Sequence, residues 1–465
     1  MEVLQRLHNR GSISTGYDID NSLKVEKANT EYLKRTVSSA GNTKVWCASM
    51  WIKRSELDGS NQFWQFFSSM TSDGSGGYSS WPTRIGFFYS ADQLWVDSRA
   101  GTGNKRLTSL ARLRDTSAWY HIVVMQDTTQ STDTNRTKIY VNGTLLLPAD
   151  LDYDQYPAQN DDTAMNVANS QIVVGAQGDG GYPWSGYIAD VHFLDGQSGK
   201  TASDFGEYDD NGIWIPKAYA GAYGTNGFHL KFEDGSNMGL DSSGNGNNLT
   251  SNNITAADQA TDTPTNNFCI LNVTEPDVSN VLTYTEGATK ISSTGSPYPT
   301  AKGTLGVSSG KWYWELKIGD VSNYPSTVSV IGMALPQHNS ASYPHNNPGA
   351  HGYRNNGDKV TQGSAASYGD AWATNDIMGV AMDLDNNTLT FYRNNTSQGQ
   401  AYTGFTETYL PFVYVDGTSA EVNFGGYTTI SISSAESDEN GYGSFEYAPP
   451  SGYLALCTKN LAEYG

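Results

Sequence analysis

Cysteine, positive charge and long apolar runs are all scarce in this 465-residue chain. The three cysteines, Cys47, Cys269 and Cys457, are odd in number, far apart and without a CxxC pair. They provide neither a disulfide framework nor a zinc site, and are read as buried thiols packing as small hydrophobes. Lys and Arg total 28 against 48 Asp and Glu, giving a formal net charge of -20. A phosphate backbone selects basic surfaces, so this balance argues against nucleic acid as a partner. No apolar run reaches the roughly 18 residues of a membrane-spanning helix, so membrane insertion is not expected. The opening MEVLQRLHNRGSIS has no apolar core or small-residue cleavage site, and classical secretion is not expected either.

Helical periodicity is nearly absent, whereas short apolar or alternating runs bounded by Gly, Asn, Asp and Ser recur throughout. With 49 glycines, 29 tyrosines and only 16% charged residues, the composition is that of a turn-rich β protein. Strands are predicted at VWCASMWIK (45–53), FWQFFSS (63–69), TRIGFFYS (83–90), QLWVDS (93–98), WYHIVVMQD (119–127) and GYIADVHFLDG (186–196). In TKIYVNGTLLL (137–147), Asn142-Gly143 between alternating residues predicts a type I′ hairpin. Residues 197–226 read as an irregular arm with one helical turn at TASDFG, and the polar stretch from Gly235 to about Thr265 as a boundary. Beyond it, GKWYWELKIGD, TVSVIGMAL, DIMGVAMDL, TLTFYRN and YLPFVYVDG are predicted strands, with a loop-rich stretch from Pro336 to Asp370. The expected organisation is an attachment segment (1–16), two tandem antiparallel β-sandwich domains (17–255 and 276–465), and a linker (256–275).

The segments YLKRTVSSAGNTKVWCASMWIKR, KIYVNGTLL, FGEYDDNGIWIPK and FHLKFEDGSNMGLDSSGNGNNLT resemble the laminin-G-like, concanavalin A-like jelly rolls of phage and marine viral structural proteins. SSGKWYWELKI, YGDAWATNDIMGVAMDLDNNTLTFYRNN and FEYAPPSGYLALCTKNL are similar to SPRY domains. The resemblance implies two sandwiches that bind: glycans in the first kind, peptides or proteins in the second. It also implies a bacteriophage virion protein, a tail fibre or tail-tip component assembled in the host cytoplasm and exposed on the particle. A homotrimer contacting other virion proteins and a host-surface glycan or protein is expected. A head fibre or decoration protein and a polysaccharide depolymerase are the alternatives.

Candidate chemistry is sparse. No GxSxG, P-loop, HExxH or Ser/His/Asp pattern stands out, and no catalytic residue is assigned. Paired glucanase carboxylates have their nearest approach at Glu436-Ser-Asp438-Glu439, which reads as a loop. Asp383 and Asp385 lack the glycine and closing glutamate of a calcium loop and suit a hairpin turn. Asp241 and Asn245, with Asp234, could hold structural calcium or cap a glycine turn. His338, His345 and His351 read as exposed loop histidines, and no metal ligand is assigned. Saccharides stack their C–H faces on flat rings while amides read their hydroxyls. Tyr78, Trp81, Tyr182 and Trp184 among glycines, and Tyr343, Tyr353 and Asn355 in the loop-rich stretch, are the candidate ligand residues. Aromatics beside Pro and Gly equally suit loop stabilisation or subunit contacts.

Overall fold

The computed structural model describes every residue except 1–15, 58–62, 72–81, 89–90, 99–104, 275–281, 295–298, 324 and 338–348. Its described residues are mostly antiparallel β and form two compact units, one spanning Ser14–Thr265 and one containing Asn266–Gly465. Each is a sandwich of two sheets.

In the first unit, one eight-stranded sheet is centred on Val45–Arg54, which pairs with Trp119–Asp127 and Gly186–Asp195. Every residue of Val45–Arg54 and of Gly186–Asp195 is buried. Trp46, Met50, Ile52, Ile122, Val124 and Ile188 pack toward the second sheet. Cys47, Val123, Met125 and Leu194 pack instead with Ala202 and Phe205, flanked by Trp214, Tyr219 and Tyr223. Cover on both faces explains why these strands read as apolar runs with little alternation. The arm at 197–226 is therefore less irregular than expected. It has a 3-10 turn at Ala202–Asp204 and a hairpin pairing Gly206–Tyr208 with Trp214–Pro216. Asn142 and Gly143 take positive φ values of 46° and 81°, as a type I′ turn requires. All three cysteines are buried, and burial pushes the Cys457 thiol up to about 12.

The expected linker at 256–275 does not exist as such. Gln259–Ala260 pairs with Ser22–Val25, and the buried Lys24 Nζ reaches Asp258 at 2.8 Å and Glu31 at 3.0 Å. From Asn266 the chain enters the other unit: Cys269 N donates to Leu456 O at 2.9 Å, and Phe268 bridges Cys457. Polar composition misled the reading because an edge strand held by buried ion pairs has the same residues as a linker.

The second unit stacks an eight-stranded sheet on a six-stranded one around Trp312, Trp314, Ile331, Met333, Val413 and Val415. Ile377–Asp383 and Thr388–Arg393 form the expected hairpin, with Val380, Met382, Leu389 and Phe391 fully buried. Of its aspartates, Asp383 serves the turn, its Oδ1 accepting from Asn386 N at 2.9 Å, whereas Asp385 Oδ1 accepts from the distant Gly310 N at 3.0 Å. Within the stretch expected as loop lie three strands, Ala350–Arg354, Asp358–Thr361 and Ser364–Ser367. They are only four or five residues long and contain few large apolar residues, and the outermost, Ser364–Ser367, is fully exposed at the sheet edge. No helix among the described residues is long and apolar enough to cross a membrane.

Candidate ligand platform on the first unit

The expected ligand residues do not come together. Tyr78, Trp81 and Tyr343 lie outside the described residues. Trp184 is 3% exposed and packs its ring against Phe66 in the core. Tyr353 is fully buried, with its ring against Tyr368, Trp372 and Phe391 and its hydroxyl donating to the Asp370 carbonyl. Asn355 is buried, accepting from Ser329 N at 3.2 Å and donating to Thr327 O at 3.1 Å. These three are structural because their strands and turns face inward, a direction that Gly- and Pro-rich context concealed. Tyr182 alone of the described set is exposed, at 40%.

Tyr182 leads to an unexpected surface. The second sheet of the first unit orders Leu151–Asp154, Arg106–Arg112, Gln93–Asp97, Thr83–Phe88 and Trp64–Thr71 side by side. Ile85, Phe87, Leu94, Val96 and Leu107 point into the core, so the alternate residues face outward. Register then aligns Gln65, Gly86, Trp95, Thr108 and Tyr153 in one row across five strands. The neighbouring row aligns Ser68, Arg84, Asp97 and Arg106. Gly86 sits at a bulge where a Cβ would meet Trp64 O at 2.0 Å, so no larger residue fits there.

The base of this face is polar and buried. The Arg84 guanidinium lies 4.8 Å from the Trp95 ring and bonds Asp97 Oδ2 at 2.7 Å, while Gln65 Nε2 donates to Gln177 Oε1 at 2.9 Å. Among the described residues, Trp95 Nε1, Thr108 Oγ1 and Gln65 Oε1 are buried with no hydrogen-bond partner. Such orphans are few in native proteins and call for an explanation at each site. Over the base runs a half-exposed layer of rings: Tyr182 against Phe63 at 6.0 Å, Phe63 against Phe88 at 5.4 Å, and Arg106 between Phe88 at 4.5 Å and Tyr153 at 4.4 Å. Tyr182 is held at φ +47°, a conformation costly for a bulky residue, and its carbonyl accepts from Gln65 N at 3.1 Å. Sequence reasoning missed Trp95, Phe88 and Arg106 because they lie in strands, where aromatics read as core, and Phe63 because it directly precedes one. The available signal was alternation: Trp95 and Phe88 fall out of phase with Leu94, Val96, Ile85 and Phe87.

A second cluster is catalytic in composition but not in form. Asp190, at φ +49° in a bulge of Gly186–Asp195, faces two histidines from the outer side of the first sheet. Its Oδ1 accepts from His229 Nε2 at 2.7 Å and Tyr17 Oη at 2.9 Å, and its Oδ2 lies 3.2 Å from His192 Nε2. Burial opposes ionisation of Asp190, but the two imidazoles outweigh it and hold the carboxyl well below its usual range. Burial, reinforced by His192, lowers His229. The imidazoles stack with centroids 4.0 Å apart and planes 20° from parallel. One ligand-type atom from each of Asp190, His192 and His229 lies within 4.8 Å of the other two, and the carboxylate contacts both rings directly. As arranged, the group is a clasp: His192 Nδ1 bonds Tyr223 Oη at 2.9 Å, so Tyr17, Tyr223 and two strands meet at one carboxylate.

The other carboxylates considered are committed to backbone groups. Asp241 accepts from His229 N at 2.9 Å, Ser243 N at 2.8 Å and Asn247 N at 2.8 Å, and Asn245 Nδ2 donates to Gly224 O and Gly227 O. Glu439 accepts from Ser451 Oγ and Gly452 N, both at 2.8 Å, and buried Asp438 from Ala455 N at 2.9 Å. His338 and His345 lie outside the described residues. His351, expected in an exposed loop, belongs to a strand and packs among Tyr402, Phe405 and Tyr409. Burial depresses it from 6.5 to about 4. The folded state then prefers neutral imidazole, so its stabilisation is complete above about pH 6.5 and lost as pH falls toward 4. About 2–3 kcal/mol of stability is expected to disappear between pH 7 and 4.5. Urea unfolding at both pH values should show this slope, reduced in His351→Phe; an equal slope in the variant would refute the assignment.

Two family models match the chain, one in each unit. Residues 27–198 match the family model of the concanavalin A-like lectin/glucanases superfamily, and residues 311–427 match that of the SPRY domain. The chain thus carries a concanavalin A-like lectin/laminin G domain followed by a SPRY domain, two kinds of module with binding roles. It is 36% identical over 69 residues to the E3 ubiquitin-protein ligase RKP of Arabidopsis thaliana, covering 14% of this chain and 5% of that protein. It is 28% identical over 126 residues to the probable ATP-dependent RNA helicase ddx1 of Dictyostelium discoideum, covering 27% of this chain and 16% of that protein. The chain therefore spans only a small part of these relatives. Among solved structures it is similar to the SPRY domain of human HERC1, at 15% identity and TM-score 0.26, over 31% of this chain and 92% of that one. It is also similar to a heptameric SAP-like pentraxin from Limulus polyphemus, at 16% identity and TM-score 0.28, over 38% and 78% of the two chains.

Proposed function

We propose that this is a non-catalytic binding protein whose concanavalin A-like unit holds a saccharide across the platform from Tyr182 to Tyr153. The SPRY unit takes a protein or peptide segment. The carrying observation is the half-exposed layer of Tyr182, Phe63, Phe88, Arg106 and Tyr153 over a base of orphaned polar groups. Flat rings supply surface for sugar C–H faces, and strands fix Phe88 and Tyr153 while Phe63 and Tyr182 flank the sheet. The residues expected to bind were in loops; the platform moves the site onto the sheet face. Within this reading, the protein is an exposed fibre or tail-tip component of a bacteriophage virion, homotrimeric, attaching the particle to a host-surface glycan or protein. That setting rests on the sequence resemblance and on an acidic chain with an adhesin-like composition.

Tyr182→Ala removes the exposed end of the ring layer and is expected to weaken saccharide binding about tenfold, the effect of one hot-spot aromatic. A glycan array followed by calorimetry on the best binder measures it. Unchanged affinity would remove Tyr182 from the site, and an array with no binder would sink the saccharide reading. Failure of the purified protein to adhere to host cells or block infection would refute the attachment role. Release of reducing sugar from host polysaccharide would overturn the non-catalytic reading, and a monomeric mass in solution the trimer.

A further inference from the structure

We infer that the platform selects an acidic saccharide, one bearing a carboxylate or sulfate, and that Arg106 is the group that recognises the anion. This rests on the platform reading and narrows it to a ligand class.

The argument begins with charge. A chain of net charge -20 has ample carboxylate for its cations, and four of its buried cations are neutralised by ion pairs. Arg84 pairs with Asp97 at 2.7 Å, Arg54 with Asp92 at 2.9 Å, Lys53 with Asp262 at 2.6 Å and Lys24 with Asp258 at 2.8 Å. Arg106 is half-buried and differs from all of these. Among the described residues its guanidinium makes no ion pair and no hydrogen bond, and its Nε is shielded from solvent without a partner. Asp97 stands opposite it in the sheet register but directs its Oδ2 to Arg84.

Arg106 is nonetheless held in place. Phe88 and Tyr153 grip the guanidinium at 4.5 Å and 4.4 Å, fixing its plane while leaving the donor edge unspent. A planar fork of N–H donors, immobilised by rings and without an acid partner, matches a carboxylate or sulfate in two-point geometry. The rings that grip it are the same ones that would support the sugar. The anion and the sugar face are therefore read side by side, as an acidic monosaccharide presents them. Thr108 Oγ1 and Trp95 Nε1, orphaned in the adjacent row, add polar groups beneath the same spot.

The test compares four probes by calorimetry: oligogalacturonate, its carboxyl-reduced neutral counterpart, dextran sulfate and dextran. The protein is expected to bind at least one acidic probe about tenfold or more tightly than its neutral counterpart, the gain from hydrogen bonds to a charged group. Which acidic probe binds separates carboxylate from sulfate recognition. Arg106→Gln should bring the acidic and neutral probes within about twofold of each other, whereas Arg106→Lys, keeping charge without the fork, should retain part of the preference. Unchanged near-ultraviolet circular dichroism in both variants confirms that the face is intact; if Arg106→Gln unfolds, the lysine variant and salt dependence of the acidic probe carry the test. Equal binding of acidic and neutral probes, or no binding of either acidic probe, overturns the inference. If neutral glycans on the array still bind and Tyr182→Ala still weakens them, the platform reading survives that failure.

Discussion

Asp262→Ala is expected to lower the unfolding free energy of the first unit by about 3–5 kcal/mol, the cost of stripping a buried charge of its partner. Lys53 Nζ lies 2.6 Å from Asp262 Oδ2, with the two side chains 0% and 1% exposed, and Trp119 Nε1 donates to Asp262 Oδ1 at 3.1 Å. The pair joins the C-terminal end of the central strand Val45–Arg54 to the segment that closes the unit. Truncation removes the carboxylate and leaves an ammonium and an indole N–H in the interior. A double variant, Lys53→Met with Asp262→Leu, should lose less than Asp262→Ala alone, because no unpaired charge remains. Urea titration followed by tryptophan fluorescence measures both. A loss under about 1 kcal/mol in the single variant would show that the pair is solvated and weak.

Glu315→Ala is expected to destabilise the second unit by a similar amount, about 3–5 kcal/mol. Glu315 lies in Lys311–Ile318 with no exposed surface, yet its burial is fully answered. Its oxygens accept from Glu446 N and Tyr447 N, both at 2.9 Å, from Tyr313 Oη at 3.1 Å and from Asn423 Nδ2 at 3.2 Å. The carboxylate therefore pins the 446–447 backbone to the sheet. Burial raises its pKa, with the hydrogen bonds pulling back. A carboxyl raised above its unfolded value favours folding most below that value, and this contribution falls as pH rises through the raised one. Glu315→Gln keeps the shape but sets an NH2 group against donors, so a smaller loss of about 1–3 kcal/mol is expected, without that pH trend. Equal losses in the two variants would mean that volume, not the acceptor set, matters here.

Glu315 and Asp262 also show how differently two anchors can be seen in advance. WYWEL alternates clearly, so its strand was legible, although three of the four partners of Glu315 lie more than a hundred residues away. Asp262 fell in a stretch of Thr, Asp and Pro that reads as linker, and only its pairing with Lys53, 209 residues earlier, makes it structural. The platform follows the same rule. Tyr182 was visible because an aromatic among glycines is conspicuous, whereas Arg106 and Phe88 are ordinary strand residues until register brings Tyr153, Trp95 and Phe63 around them.

Local chemistry in the sequence was enough to determine the all-β class, the two sandwiches, the Asn142-Gly143 turn and the hairpin around Asp385. Each depends on neighbours within a few residues, through alternation and turn stereochemistry. Tertiary structure alone decided which aromatics face outward, which charges are paired, where the boundary between the units falls, and that Arg106 stands between two rings without an acid. Those outcomes depend on strand order and register across hundreds of residues, and a one-residue slip would send every one of these side chains to the opposite face.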